Sequence, residues 1–437
     1  MAGLVAALDL SRRGALVRVV EARDRVGGRV YTIRDGFHDG QHAEAGGELI
    51  EGEHHRVKAL AREEGLTLVR VLRDGFGAYL AGVSGRARRL GEQSTLWSDL
   101  RRTLKPALDA YERAGHSWDG PVAQVLAARS VARTLSMLRA DPRVCAMTSG
   151  LRGFYLADAE RLSTLVLLDQ IRSDDDPGGR EMFRVRGGND RLATTLAARL
   201  GDRVSLGEEA IAIAQSATGV RVTLRQRAGR GRGRTSSLTA DYVIVAAPAP
   251  IVARLAFSPT LPDPQAQAFR TLPYGPATKS VLQFARPFWR RAGRPRAYGT
   301  DLPTGAVWDA SEEQRGRAAL LVSLAGGSSS RAVRAIVDRE GPAGLARQLA
   351  WLGGRVRDRE PIASVVTTWE SDPWARGGYA YFSRGFDPSL RRWLAAPAGR
   401  VLFAGEHTSI EWQGYIEGAI ESGQRAALEV LALAGHL

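Results

Sequence analysis

The chain has 437 residues, 44% hydrophobic and 25% charged, with a net charge of +14. That length exceeds one ordinary hydrophobic core and predicts two or three domains. The single cysteine, Cys145, excludes a disulfide framework and a cysteine-built metal site, and no apolar run approaches the ~18 residues of a membrane span.

Only three of the 61 basic residues are lysines: Lys58, Lys105 and Lys279. This arginine bias follows GC-rich coding and does not by itself define a nucleic-acid surface. The densest basic run, residues 225–237, has no aromatic residue for base stacking and is expected to be a solvated hairpin loop. No nucleic-acid partner is expected. The lone cysteine fits a reducing, cytoplasmic setting, with an upstream export signal left open.

The opening stretch, "MAGLVAALDLSRRGALVRVVEARDRVGGRV", places Leu4, Leu8 and Leu10 on one stripe of a helix from about residue 2 to Arg13. Gly14 stops it. "ALVRVVEA" follows as a short β-branched strand ending in Glu21. Helix, glycine, strand and strand-end acid form the later part of a dinucleotide-binding βαβ unit, in which the carboxylate accepts hydrogen bonds from a ribose diol. The strand and Gly-x-Gly turn of such a unit would precede Gly3. Met1 is therefore expected to be an internal methionine of a "GxGMAGL" turn. The alternative is a truncated, inactive remnant.

Gly27-Gly28 and Arg29 come next. A glycine pair lets backbone approach a ligand closely, and an arginine can pair with a diphosphate. "EAGGELI" repeats the pair at Gly46-Gly47. "HHRVKALAREEGL" reads as a helix ending at Gly65 and "LTLVRVL" as a strand. Residues 86–180 read mostly helical, without a motif. From Met182 the pattern is again strand, Gly turn, helix and strand, followed by the hairpin and the buried-type strand "YVIVAAP". Residues 259–395 alternate strands and helices. "RVLFAGEHTS" then ends a strand at Gly405-Glu406, and a helix runs from about Gly414, its N-terminus a fixed positive partial charge. There is no fixed-period repeat, P-loop, nucleophile elbow or metal-ligand spacing. The expected fold is α/β. One domain is assembled from residues 1–75, 181–258 and 396–437, and an α+β substrate domain from the insertions 76–180 and 259–395.

On "AGLVAALDLSRRGALVRVVEARDRVGGRVYT", "GGNDRLATTLAARLGDRVSL", "YVIVAAP", "YGPATKSVLQFARPFW", "WESDPWARGGYAYF" and "LFAGEHTSIEWQGYIEGAIESGQRAA", the chain resembles the flavin-dependent amine oxidase family. That family includes monoamine, polyamine and L-amino-acid oxidases. The resemblance implies a Rossmann-like FAD-binding domain of the GR2 type, with FAD held by Gly3, Glu21, Ala22, Arg23, Gly28, Arg29, Gly46 and Gly47. It implies that Val204 contacts adenine, that Gly405 and Glu406 lie beside the ribityl hydroxyls, and that Gly414, Tyr415 and Ile416 start the helix that meets the flavin. Lys279 takes the position at which the family's lysine holds a water against flavin N5. In a chain that otherwise avoids lysine, a lysine at this position points to a compact ammonium able to orient one water. Tyr415 and Tyr379 match the two aromatics that flank the substrate nitrogen, Tyr379 less closely in spacing.

The loop that carries a flavin-linking cysteine in monoamine oxidases reads Ala375-Arg376-Gly377-Gly378-Tyr379 here, so FAD is expected to be non-covalent. The implied reaction takes an amine to an imine, with hydride transfer to flavin N5 and reoxidation by O2 to H2O2. The implied partners are a small-molecule amine and O2, and a homodimer is one option. The alternative enzyme is a related flavoprotein desaturase or oxidase of a large apolar substrate. "EWQGYIEG" leans toward monoamines and "WESDPWARGGYAYF" toward polyamines.

Overall fold

The computed structural model describes residues 1–82, 87–89, 95–173, 181–226 and 233–435. The expected hairpin is present as Val220–Gln226 paired antiparallel with Thr235–Ala240, while residues 227–232 of its loop lie outside the described residues.

The first helix, Ala2–Arg12, buries Leu4, Val5, Ala7 and Leu8 against Leu60, Leu192, Leu196, Ile416 and Ile420. It crosses the last helix, Ile416–Leu433, at close range: a Cβ on Gly423 would lie 2.4 Å from the Ala2 carbonyl oxygen. The two ends of the sequence are thus packed together in one core.

Two short parallel pairs lie under the first helix. Val19–Glu21 pairs with Val204–Leu206, and Val243–Val245 pairs with Val401–Phe403. Val19–Glu21 and Val243–Val245 line the same cavity, and among the described residues no ladder joins the two pairs.

A seven-stranded sheet forms a second layer, in the order Pro361–Thr368, Ala277–Phe284, Ala319–Gly326, Ala306–Asp309, Ala297–Thr300, Phe76–Tyr79 and Ala87–Arg89. Every residue of Ala277–Phe284 is buried. That strand is covered on both faces, so Thr278, Lys279, Ser280 and Gln283 are buried along with its apolar residues. Helices spanning 95–173 pack around Leu100, Leu104, Tyr111, Leu135, Leu165 and Leu168, as their sequence predicts. Among the described residues, no helix is long and apolar enough to cross a membrane.

Candidate active site

A cavity of about 1940 Å³ runs from the first helix and the two facing strands, past both glycine pairs, to the start of the last helix. Trp97, His116, Trp118 and Met147 of the helical segment line its far side.

Glu21 ends its strand on the cavity wall. Its Oε1 accepts from the Arg23 backbone N–H at 2.9 Å, and the Arg23 guanidinium lies 3.7 Å from the same oxygen while donating to Asp372 at 2.6 Å. The turn that follows needs glycine. Gly27 has φ +92°, and a Cβ there would sit 2.5 Å from the Val30 carbonyl oxygen. Gly46 packs still closer: its Cβ would lie 1.7 Å from the Arg29 carbonyl oxygen. The second glycine pair therefore packs against the backbone of Arg29, the residue after the first pair, and Gly47 N–H donates to the Arg29 carbonyl at 3.0 Å.

Arg29 donates to the Gly378 carbonyl at 2.6 Å and to Glu406 Oε1 at 3.0 Å. Glu406 Oε2 accepts from the Gly414 N–H at 2.9 Å. Burial alone would raise the Glu406 pKa, but the Arg29 charge, helped by His407 and the Tyr274 hydroxyl, holds it below the usual carboxylate range. Glu406 thereby ties the first glycine turn to the segment that leads into the last helix.

Lys279 reaches the cavity from the middle of its buried strand. Its Nζ donates to Glu48 Oε2 at 2.5 Å and to the Gly46 carbonyl at 3.0 Å, and it lies 5.2 Å from the Trp308 ring centroid. Glu48 is itself held from the other side. Trp308 Nε1 donates to its Oε1 at 2.8 Å, and Arg184 approaches the same oxygen at 2.7 Å. Burial would push the Glu48 pKa up, but Lys279 and Arg184 outweigh it and lower the pKa.

Tyr415 caps the last helix, with its ring edge-on to His54 at 5.0 Å and to Trp412 at 6.0 Å. The Tyr379 ring lies against Gly414, where a Cβ would come within 3.3 Å of it, and its hydroxyl donates to the Phe154 carbonyl. Both tyrosines line the cavity.

The cavity wall also takes in Gly3, Ala22, Arg23, Gly28, Gly47, Gly405 and Ile416. Val204 is not among its lining residues: it pairs with Val19 and packs into the core, while Glu208, Glu209 and Ala210 form the neighbouring wall. Sequence reasoning missed Glu48, Trp308, Arg184 and Asn189. Asn189 Nδ2 donates to the Glu48 carbonyl at 2.6 Å, and its Oδ1 accepts from Val185 N–H at 2.8 Å. Glu48 directly follows Gly46-Gly47, and that adjacency was the available signal.

These features fit FAD. The wall offers a strand-end carboxylate, two side-chain-free backbone turns, a buried arginine and a helix N-terminus, in a space large enough for a dinucleotide and a substrate. They define a flavin-binding oxidoreductase site. Residues 1–431 match the family described as flavin containing amine oxidoreductase, and the chain belongs to it. It is 28% identical to amine oxidase [flavin-containing] B of Cavia porcellus, over 100% of this chain and 85% of that protein. It is 27% identical to an L-amino acid dehydrogenase of Synechocystis, over 99% and 93%. The structure of cyclohexylamine oxidase from Brevibacterium oxydans IH-35A superposes with a TM-score of 0.86 at 25% identity, covering 99% of this chain and 97% of that one. The chain is an FAD-dependent amine oxidase, an oxidoreductase.

Proposed function

We propose that the chain oxidises the C–N bond of a small amine to an imine against non-covalently held FAD, with dioxygen as the electron acceptor. The observation that carries this reading is Lys279, a buried ammonium fixed on the cavity wall by Gly46, Glu48 and Trp308. FAD, held by these residues, would supply the redox chemistry: a two-electron sink for the amine's C–N bond, with dioxygen taking up the electrons as hydrogen peroxide.

The chain's own residues bind, orient and exclude water. Glu21 would accept hydrogen bonds from ribose hydroxyls, and the glycine turns would present backbone N–H groups to the phosphates. Arg29 and the start of the last helix supply positive charge. Two of the three Lys279 N–H groups are used by Gly46 and Glu48, which leaves one to orient a water. Tyr379, Tyr415 and Trp412 enclose the substrate side. Desolvation there favours the neutral amine, so no strong general base is required.

Non-covalent attachment is supported by Gly378 preceding Tyr379 and by the position of Cys145, exposed on the helix Pro142–Gly150 and not among the cavity-lining residues. In this reading residues 1–75, 181–258 and 396–437 hold FAD, and 76–180 and 259–395 shape the substrate side.

A peroxide assay with benzylamine, putrescine and L-phenylalanine tests the reaction, and acid precipitation of the holoenzyme tests the attachment. Peroxide from at least one amine and flavin in the supernatant are expected. No peroxide from any amine, or flavin in the pellet, contradicts the corresponding part.

A further inference from the structure

Arg391 lies on the 3-10 helix Pro388–Leu394 and lines the same cavity as Lys279 and Tyr415. Its guanidinium stacks 3.9 Å from the Trp118 ring centroid and 5.3 Å from that of Phe382. It donates one hydrogen bond to the Ile410 carbonyl, two residues before Trp412 on the segment that leads to Tyr415. Its Nε is buried without a hydrogen-bond partner, and among the described residues it makes no ion pair with a carboxylate.

The contrast with its neighbours is informative. Arg23 and Arg29 line the same cavity, and each holds an acid, Asp372 and Glu406. The acids whose charge reaches Arg391 are engaged elsewhere: Asp169 accepts from the Tyr111 hydroxyl at 2.8 Å, and Glu421 accepts from the Ser409 hydroxyl at 2.8 Å. Removing a guanidinium from water without a counter-charge is costly. Burial accordingly lowers its pKa to about 10. A cavity-lining cation with this deficit is balanced when a ligand brings the anion.

We propose that Arg391 receives a carboxylate of the substrate, so that this site takes amines carrying an acidic group, amino acids rather than simple monoamines or polyamines. The assignment of a substrate rests on the amine-oxidation reading above. The stacking on Trp118 fixes the plane of the guanidinium, and its remaining N–H donors suit a carboxylate better than an ammonium would.

The test uses 3-phenylpropionate and 3-phenylpropanamide, which share a shape and carry no oxidisable amine. Their binding to the full chain is measured by calorimetric titration, independently of turnover. The carboxylate is expected to bind roughly 10-fold or more tightly than the amide, the range of a hydrogen bond to a charged group. Arg391→Met is expected to remove that preference, and Arg391→Lys to retain part of it. Equal affinities in the unsubstituted chain overturn the proposal whether or not any variant folds. So does a preference that survives Arg391→Met in a folded protein. Oxidation of benzylamine with equal probe affinities overturns the role of Arg391 alone. A carboxylate preference in a chain that oxidises no amine upholds the anion site and overturns the amine-oxidation reading.

Discussion

Lys279 Nζ and Glu48 Oε2 meet at 2.5 Å, although 231 residues separate them in sequence. Both side chains are 3% exposed. The pair fixes the ammonium against the Gly46 carbonyl, at the junction of the two glycine turns.

Lys279→Met removes the ammonium and the water it orients. Flavin reoxidation is expected to slow by about 10²-fold, in the range for losing one preorganised donor. FAD content is expected to stay near one per chain, because Lys279 is not among the groups assigned to hold it. Stopped-flow mixing of the reduced enzyme with oxygenated buffer, beside flavin released on denaturation, checks both. Unchanged rates in both half-reactions would remove Lys279 from the chemistry.

Glu48→Gln leaves a buried ammonium facing a neutral amide. Breaking a buried pair from one side costs about 3–5 kcal/mol. The double variant Glu48→Gln/Lys279→Met is expected to recover part of that loss, because it leaves no unpaired ammonium and Arg184 keeps Glu313 at 3.2 Å. Denaturant melts of the four proteins of the cycle measure the coupling. Strict additivity would show that the contact contributes nothing.

Glu44 gives stability an opposite pH dependence. Burial raises its carboxyl to about 8, against a weaker opposing effect of the Asn189 backbone N–H. A raised folded-state pKa contributes stability that is fully present below the unfolded value of 4.5 and lost as pH rises through about 8. Glu48 and Glu406, both lowered, contribute above 4.5 and lose that contribution as pH falls through their depressed values. Thermal melts of the unsubstituted chain and of Glu44→Gln are therefore expected to diverge from pH 5 toward pH 8.5, with the variant gaining relative to the unsubstituted chain. A Tm difference that stays constant across this window would contradict the assignment.

The sequence made the local parts of this site legible. Glu21 could be found because it ends a short β-branched strand, and Glu406 because it follows Gly405 just past the apolar strand Val401–Phe403. The helix beginning after Tyr415 follows from its periodicity, and Lys279 stood out because the chain otherwise avoids lysine. What local patterns could not show were pairings made by tertiary packing. Glu48 looked like any acid after a glycine pair until the seven-stranded sheet brought Lys279 and Trp308, and the strand Met182–Val185 brought Arg184, around it. Arg391 was hidden for the opposite reason, because arginine is so common here that its lack of an acid partner becomes visible only in three dimensions. Val204 pairs with Val19, which places its strand beside the cavity wall formed by Glu208, Glu209 and Ala210.

The central claim is that an amine delivers electrons to FAD in the cavity walled by Lys279, Tyr379 and Tyr415. The most direct measurement is the visible absorption spectrum of the FAD-loaded chain, recorded anaerobically before and after addition of an amine, and again after air is admitted. The account predicts that the oxidised flavin band is lost with the amine and returns with air, with one hydrogen peroxide formed for each flavin reoxidised. A band that persists under a saturating panel of monoamines, polyamines and amino acids, while dithionite bleaches it, would contradict the account.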